Sequence, residues 1–84
     1  MKKYSVTKMF ADGVERKRTL WEVANEIEKD NPMEPVEIVS QKENRIIWVG
    51  RAKNITADFC KDYCKRCVQE ILTDEYGVTI TMRR

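Results

Sequence analysis

The chain has 84 residues, of which 42% are hydrophobic and 36% are charged, so it is long enough for one small domain with a modest core. Its 16 basic and 14 acidic side chains leave a net charge of +2, which does not by itself indicate a polyanionic partner. The chain contains no histidine, which excludes a serine–histidine–aspartate or cysteine–histidine nucleophile, a histidine-ligated metal and imidazole acid–base catalysis. The three glycines lie far apart, which excludes a glycine-rich phosphate-binding loop.

The compartment is predicted from the amino-terminal segment and from the cysteines. Ser5, Thr7 and Lys8 interrupt the apolar run that a signal peptide needs, and no stretch approaches the ~18–20 apolar residues that span a bilayer. All three cysteines lie within residues 60–67, whereas a disulfide framework spreads an even number over distant segments. We therefore expect a cytoplasmic protein with free thiols and no membrane contact.

The first segment is expected to contain a strand and a turn. Residues 4–10 are rich in strand-forming side chains, and the Asp12-Gly13 pair supplies the positive φ of a tight reversal. Residues 14–18 are expected to return as a polar second strand, whose basic side chains discourage aggregation at a sheet edge.

An amphipathic helix is predicted over residues 20–30. Thr19 and Glu22 have the spacing of a capping box, and Asn31-Pro32 ends the helix. The apolar positions follow one face at helical spacing: Leu20, Val23, Ala24 and Ile27.

A β-hairpin is predicted next, with strands over residues 36–40 and 45–50. The run over residues 46–49 is continuously apolar, which is typical of a central strand or of a strand whose second face lies at an interface. Gly50 is expected to allow a bulge or close packing against a helix.

A longer helix is predicted to begin after Thr56 and to continue through Leu72, with Tyr76-Gly77 as its stop. Residues 78–82 alternate between apolar and polar side chains and are predicted to form a final strand.

The predicted fold is therefore α+β, one domain over residues 1–84, with a small antiparallel or mixed sheet of three to five strands and two helices packed on one face. If the first segment forms a single strand, the order is βαββαβ, a ferredoxin-like arrangement, and that topology carries no function.

The cysteines have the spacing Cys60-x3-Cys64-x2-Cys67, which as a string matches the cluster-binding motif of radical S-adenosylmethionine enzymes. Within a capped amphipathic helix, however, the three thiols fall near the middle of the apolar arc, where free cysteine behaves as a small hydrophobe. We therefore favour core packing over metal or thiol chemistry, and we expect no cofactor, no metal ligand and no catalytic residue.

Charge is distributed unevenly along the chain, with basic side chains predominating in residues 1–18 and 39–67 and acidic ones in 19–38. Convergence of the basic side chains into one surface would allow contacts with phosphates, although such residues more often solubilise strand edges and loops. The residues concerned are Arg16, Lys17, Arg18, Lys42, Arg45, Arg51, Lys53 and the Arg83-Arg84 tail.

The two tryptophans can fill the core or anchor a partner surface. Trp48 is predicted to fill the core, whereas for Trp21, which lies beside the apolar face of the first helix, burial in the core and partial exposure at a partner surface fit the sequence equally well. The apolar run and the strand edges also favour a homodimer. The candidate binding residues are Trp21, Glu22, Glu26, Arg45, Arg51 and Lys53.

The segment Arg45-Ile46-Ile47-Trp48-Val49-Gly50-Arg51-Ala52-Lys53-Asn54-Ile55, preceded by a helix with Leu20-Trp21-Glu22, resembles small uncharacterised proteins of bacterial prophages and integrative elements. The likeness implies an accessory or inhibitory binding role and transfers no catalytic residue. We therefore expect a non-catalytic protein that binds another protein. The alternative is a nucleic-acid or anionic-nucleotide binder that uses Arg16, Lys17 and Arg18 together with Arg51 and Lys53.

Overall fold

The structure is a computed structural model that describes residues 3–83. These residues form two β-sheets, one helix of 11 residues and three single-turn helices. In chain order the elements are β1 (Thr7–Met9), β2 (Glu15–Lys17), α1 (Leu20–Asp30), β3 (Pro35–Ser40), β4 (Arg45–Arg51), a 3₁₀ turn (Ala52–Asn54), α2 (Ile55–Asp58), α3 (Lys61–Cys64), β5 (Val68–Asp74) and β6 (Gly77–Met82).

The first hairpin forms a small sheet of its own, in which β1 and β2 pair antiparallel. Gly13 has a φ of +79°, and the Val14 amide donates a hydrogen bond of 3.0 Å to the Asp12 carboxylate. The predicted turn and return strand are therefore confirmed, with strands shorter than expected.

Helix α1 has the predicted bounds. The Thr19 hydroxyl accepts a hydrogen bond of 3.3 Å from the Glu22 amide, so the N-cap half of the predicted capping box is present. The four apolar positions of its buried face are completely removed from solvent: Leu20, Val23, Ala24 and Ile27.

The main sheet has the strand order β4-β3-β6-β5 and consists of two antiparallel hairpins joined by the parallel pair β3 and β6. Because side chains alternate along a strand, Val36 and Ile38 of β3 lie beside Val78 and Ile80 of β6 on one face. These four side chains are buried in one cluster with the apolar face of α1, and we call this the inner face. The opposite side of the main sheet is the outer face.

The predicted long second helix is wrong. Phe59 is extended, with φ of −106° and ψ of 144°, and it separates the single turns α2 and α3; the chain then enters strand β5. A bulge at Gln69 explains the error, because it places Val68 and Ile71 on the same side of a strand at a spacing of three residues. That spacing is the one that a helix would show.

Strand β4 lies at an edge of the main sheet, so of the two predicted alternatives the central strand is wrong. A bulge opposite β3 turns both Ile47 and Trp48 towards the core, whereas Ile46 and Val49 remain exposed. The Trp48 indole lies across Gly50, where an added Cβ would come within 2.6 Å of the ring, so the close approach at Gly50 is made by a side chain of the same strand and not by the predicted helix.

The α+β class is confirmed, and the ferredoxin-like order is not found. The first segment forms its own hairpin, and the connection between β4 and β5 contains only short helical turns in place of a second long helix. Within residues 3–83 no helix has the length and apolarity needed to cross a membrane.

Candidate functional site

A cleft lies where the first turn of α1 approaches α3. Its volume is about 540 Å³, and we call it the Trp21 cleft. Trp21 directly follows the buried Leu20, so the helix turns its indole away from the core, and the side chain remains 50% exposed. The cleft is lined by Thr19, Trp21, Glu22, Lys61, Cys64 and Lys65.

Two lysines give the Trp21 cleft its charge. Lys61 and Lys65 are one helical turn apart on α3 and its C-cap, so they lie on the same side of that turn, and both are exposed. Neither forms a salt bridge to another residue of the described range 3–83. Lys61 and Lys65 were not among the binding residues predicted from the sequence. Their spacing of four residues is the sequence feature that could have indicated the pair.

The acidic side of α1 makes ionic and hydrogen-bonded contacts within the chain. Of the predicted binding residues on this helix, Glu22 lines the Trp21 cleft, whereas Glu26 does not. Three carboxylates have partners: Glu22 with Lys8 at 3.7 Å, Glu26 with Arg18, and Asp30 with the Tyr4 hydroxyl at 3.0 Å.

The other predicted binding residues do not line the cleft, and Arg45 lies away from Arg51 and Lys53. Arg45 and Arg51 are at opposite ends of β4, about 20 Å apart along the strand. Arg51 donates a hydrogen bond of 3.1 Å to the Met33 carbonyl, and Lys53 follows in the 3₁₀ turn. The six residues predicted from the sequence therefore do not form one site.

The predicted basic surface also divides into separate parts. In the first hairpin, the side chains have partners within the chain: Arg16 with Asp12, Lys17 with Gln69 and Arg18 with Glu26. Because Arg18 is bonded through its backbone to Val68, these residues lie beside β5, across the main sheet from Arg51.

A second concave surface brings together three of the predicted basic residues, Lys42, Arg45 and Arg83, whereas Lys53 lies in the 3₁₀ turn and Arg84 lies outside the described residues. This surface has a volume of about 290 Å³ and contains four cations and the single carboxylate of Glu43, which lies 3.6 Å from the Arg45 guanidinium. We call it the basic pocket, and it is lined by Ser40, Lys42, Glu43, Arg45, Ile47, Tyr63, Arg66 and Arg83.

Tyr63 forms part of the wall of the basic pocket, and two side chains pack against its ring. One face stacks on Phe59 at a centroid distance of 4.8 Å, and the Arg66 guanidinium lies 4.8 Å from the centroid. Burial raises the pKa of Tyr63, an effect that the Arg66 charge opposes. Neither Tyr63 nor Arg66 was predicted as a site residue, since both were assigned to the long helix.

The three thiols differ in environment, so the prediction that all three are packed in the core is wrong. Cys64 is buried, Cys67 is half-buried, and Cys60 is exposed at the N-cap of α3. Burial raises the pKa of the Cys64 thiol, with a smaller contribution from Cys60. In the described part of the chain, no three cysteine, aspartate or glutamate side chains are grouped as metal ligands.

Comparisons with family models, curated proteins and solved structures find no match to this chain.

Proposed function

We propose that the protein acts by binding another protein through the Trp21 cleft and catalyses no reaction itself. The observation that supports this most directly is the half-exposed indole of Trp21 at a concave surface beside two lysines. Large aromatic side chains with one buried edge are common anchors of protein interfaces, because they bury much apolar area at a low cost in side-chain entropy.

The charges at the cleft specify the chemistry of the partner. Lys61 and Lys65 lack salt-bridge partners among residues 3–83, whereas Glu22 is paired with Lys8. We therefore expect the cleft to accept a segment with one apolar side chain that contacts Trp21 and with adjacent carboxylates that approach the lysines. The resemblance of residues 45–55 to prophage and integrative-element proteins supports a role as an accessory factor or inhibitor.

Selection from a peptide display library tests this proposal, because it samples many different partner segments at once. We expect the enriched peptides to combine an apolar residue with aspartate or glutamate. Trp21→Ala should weaken their binding about tenfold or more, as expected for an interface anchor. Replacing both lysines by glutamate should weaken it further, and more strongly at low salt.

Met33→Ala is the matched control, because Met33 is 51% exposed and lies three residues beyond the C-terminal end of α1, away from the cleft at its first turn. It should leave peptide affinity unchanged. Enriched peptides that bind Trp21→Ala as tightly as the unaltered protein, or that carry no acidic residues, would contradict the proposal.

A second candidate function, the binding of phosphate groups of a nucleic acid, is favoured by the basic pocket. Lys42, Arg45, Arg66 and Arg83 surround it, with only Glu43 as an opposing charge. Phe59 and the Arg66 guanidinium already pack against the Tyr63 ring, which leaves little of the ring for stacking on a base. We therefore expect contacts to phosphates alone, without preference for a sequence.

Titration of a fluorescent single-stranded oligonucleotide at several salt concentrations tests this second candidate. The affinity should fall as salt rises, with a logarithmic slope of about −0.7 for each phosphate contacted. Arg45→Glu and Arg66→Glu should each reduce the affinity and the slope, whereas Lys29→Glu and Lys53→Glu, which lie elsewhere on the surface, should change them less. Equal effects of all four variants would exclude a role for the pocket.

A further inference from the structure

The outer face of the main sheet has no covering element among the described residues. Alternation and register place three rows of side chains on it, each crossing the sheet from β4 through β3 and β6 to β5. The rows are Arg51, Pro35, Gly77 and Asp74; then Val49, Glu37, Thr79 and Leu72; then Ile46, Val39, Thr81 and Glu70.

Apolar side chains are frequent on this face. Val49 is 66% exposed, Leu72 is 57% exposed and Ile46 is 49% exposed. The solvated side of an antiparallel sheet is usually polar, so an apolar group of this kind indicates a surface that contacts something.

The charges on the outer face are arranged with opposite signs at opposite edges. Arg51 ends the first row on β4, and Asp74 ends the same row on β5. Arg51 uses one of its five donors on the Met33 carbonyl, and Asp74 uses Oδ1 to accept from the Tyr76 amide, so each retains hydrogen-bonding groups for a partner.

We propose that the outer face binds the outer face of a second copy of this chain. In this arrangement a two-fold axis runs parallel to the strands, midway between the two sheets. It places β4 of one copy over β5 of the other, and each row of side chains faces the same row of the second copy. Arg51 of each copy then lies opposite Asp74 of the other, and Val49 lies opposite Leu72. This self-complementarity of charge and apolar area is the reason for choosing a second copy over an unrelated partner.

The remaining positions are compatible with this arrangement. Glu37 lies opposite Thr79, whose hydroxyl can donate a hydrogen bond to the carboxylate. Glu70 is on the edge strand β5 and can direct its carboxylate into solvent while Ile46 packs against its aliphatic stem.

The area of the face limits the strength of the dimer. Four strands about 4.8 Å apart and about six residues long give a face of roughly 20 by 20 Å, which is below the ~800 Å² per partner of a standard interface. We therefore expect a weak dimer, with a dissociation constant of about 10–100 µM.

Sedimentation equilibrium of two charge-reversal variants, alone and mixed, tests the proposed contacts. Arg51→Asp alone places two acidic groups opposite each other, and Asp74→Arg alone places two arginines opposite each other. Each variant should dimerise about tenfold more weakly than the unaltered chain. In an equimolar mixture every contact again joins opposite charges, so heterodimers should form with nearly the original affinity.

A second pair of variants addresses the apolar contact and guards against effects on folding. Val49→Lys should abolish dimerisation, and Val14→Lys, at a position 49% exposed in the first hairpin, is the matched control that should not. Thermal unfolding confirms that each variant is folded. A monomer at about 1 mM, a dimer that survives Val49→Lys, or a mixture that fails to recover association would overturn the proposal.

Discussion

At the scale of single residues, the three cysteines show how closely spaced side chains acquire different chemistry. Cys60 Sγ accepts the Tyr63 amide at 3.4 Å as an N-cap and remains exposed, whereas Cys64 is 2% exposed. The thiolate is the reactive form, and burial disfavours it at Cys64. Reagents therefore reach the exposed Cys60 more easily and find Cys64 both less accessible and less ionised.

We expect thiol-specific alkylation to modify Cys60 first and Cys64 about a hundredfold more slowly, because Cys64 must wait for an opening of the structure. Mass spectrometry of proteolytic fragments after timed labelling measures both rates. In denaturant the rates should converge, and equal rates in the folded protein would contradict the assigned burial.

Tyr4 couples stability to pH at the alkaline end. Burial, followed by the hydrogen bond to the Asp30 carboxylate, raises the pKa of Tyr4 to about 12 from its usual 10.0. The folded state therefore favours the neutral phenol, so this stabilisation is complete below pH 10 and is lost as pH rises through about 12.

Tyr4→Phe should reduce the free energy of unfolding by about 1 kcal/mol at neutral pH, through loss of the hydrogen bond. The difference between the two proteins should shrink as pH rises from 10 to 12. Urea denaturation at a series of pH values provides the measurement, and a difference that is constant over that range would show that Tyr4 does not titrate as described.

At the scale of elements, the turn between β5 and β6 depends on a glycine. Gly77 has a φ of +132°, and a Cβ added there would collide with the Pro35 carbonyl oxygen of the neighbouring strand. Gly13 also has a positive φ, but no atom lies within 4 Å of the position of its Cβ. A side chain at position 13 would therefore meet only an unfavourable backbone conformation, whereas one at position 77 would also collide with a neighbouring strand.

Gly77→Ala should lower the free energy of unfolding by about 2–4 kcal/mol, since the strand pairing must shift as well as the backbone. Gly13→Ala should cost only about 1 kcal/mol, the penalty for a strained φ. Urea denaturation of both variants gives the comparison. A smaller loss at position 77 than at position 13 would be incompatible with the close approach to Pro35.

The two β-bulges of the main sheet explain where prediction from the sequence failed. At Gln69 the bulge imitates helical spacing, and at Ile47 it turns two consecutive residues, Ile47 and Trp48, towards the core. A bulge forms through pairing with a strand that is distant in the sequence, so it cannot be predicted from the local sequence pattern of β4 or β5.

At the scale of the whole molecule, one layer of buried side chains between α1 and the inner face supplies the main apolar contribution to stability. Ile80 is at its centre and is completely buried, whereas Leu72 on the neighbouring strand is 57% exposed on the outer face. A chain of this length is stabilised by only about 5–10 kcal/mol, so a single core position contributes a large share.

Ile80→Ala should therefore cost about 2–4 kcal/mol, while Leu72→Ala in dilute solution should cost less than about 0.5 kcal/mol. Chemical denaturation monitored by tryptophan fluorescence distinguishes the two. Similar losses for both variants would mean that the outer face is covered even in the dilute protein.

The sequence by itself determined the α+β class, the bounds of α1, the first turn and the hairpin of β3 and β4. In each case a cap, a turn pair or a periodic face acts within a few residues. Among the residues that the sequence singled out, Trp21 and Glu22 line the cleft, and Lys42, Arg45 and Arg83 line the basic pocket. Only the tertiary structure decided that residues 68–74 pair as a strand, which thiol is buried, and which cations converge. These outcomes depend on contacts between residues far apart in the chain, and the free energy of those contacts overrides local preference.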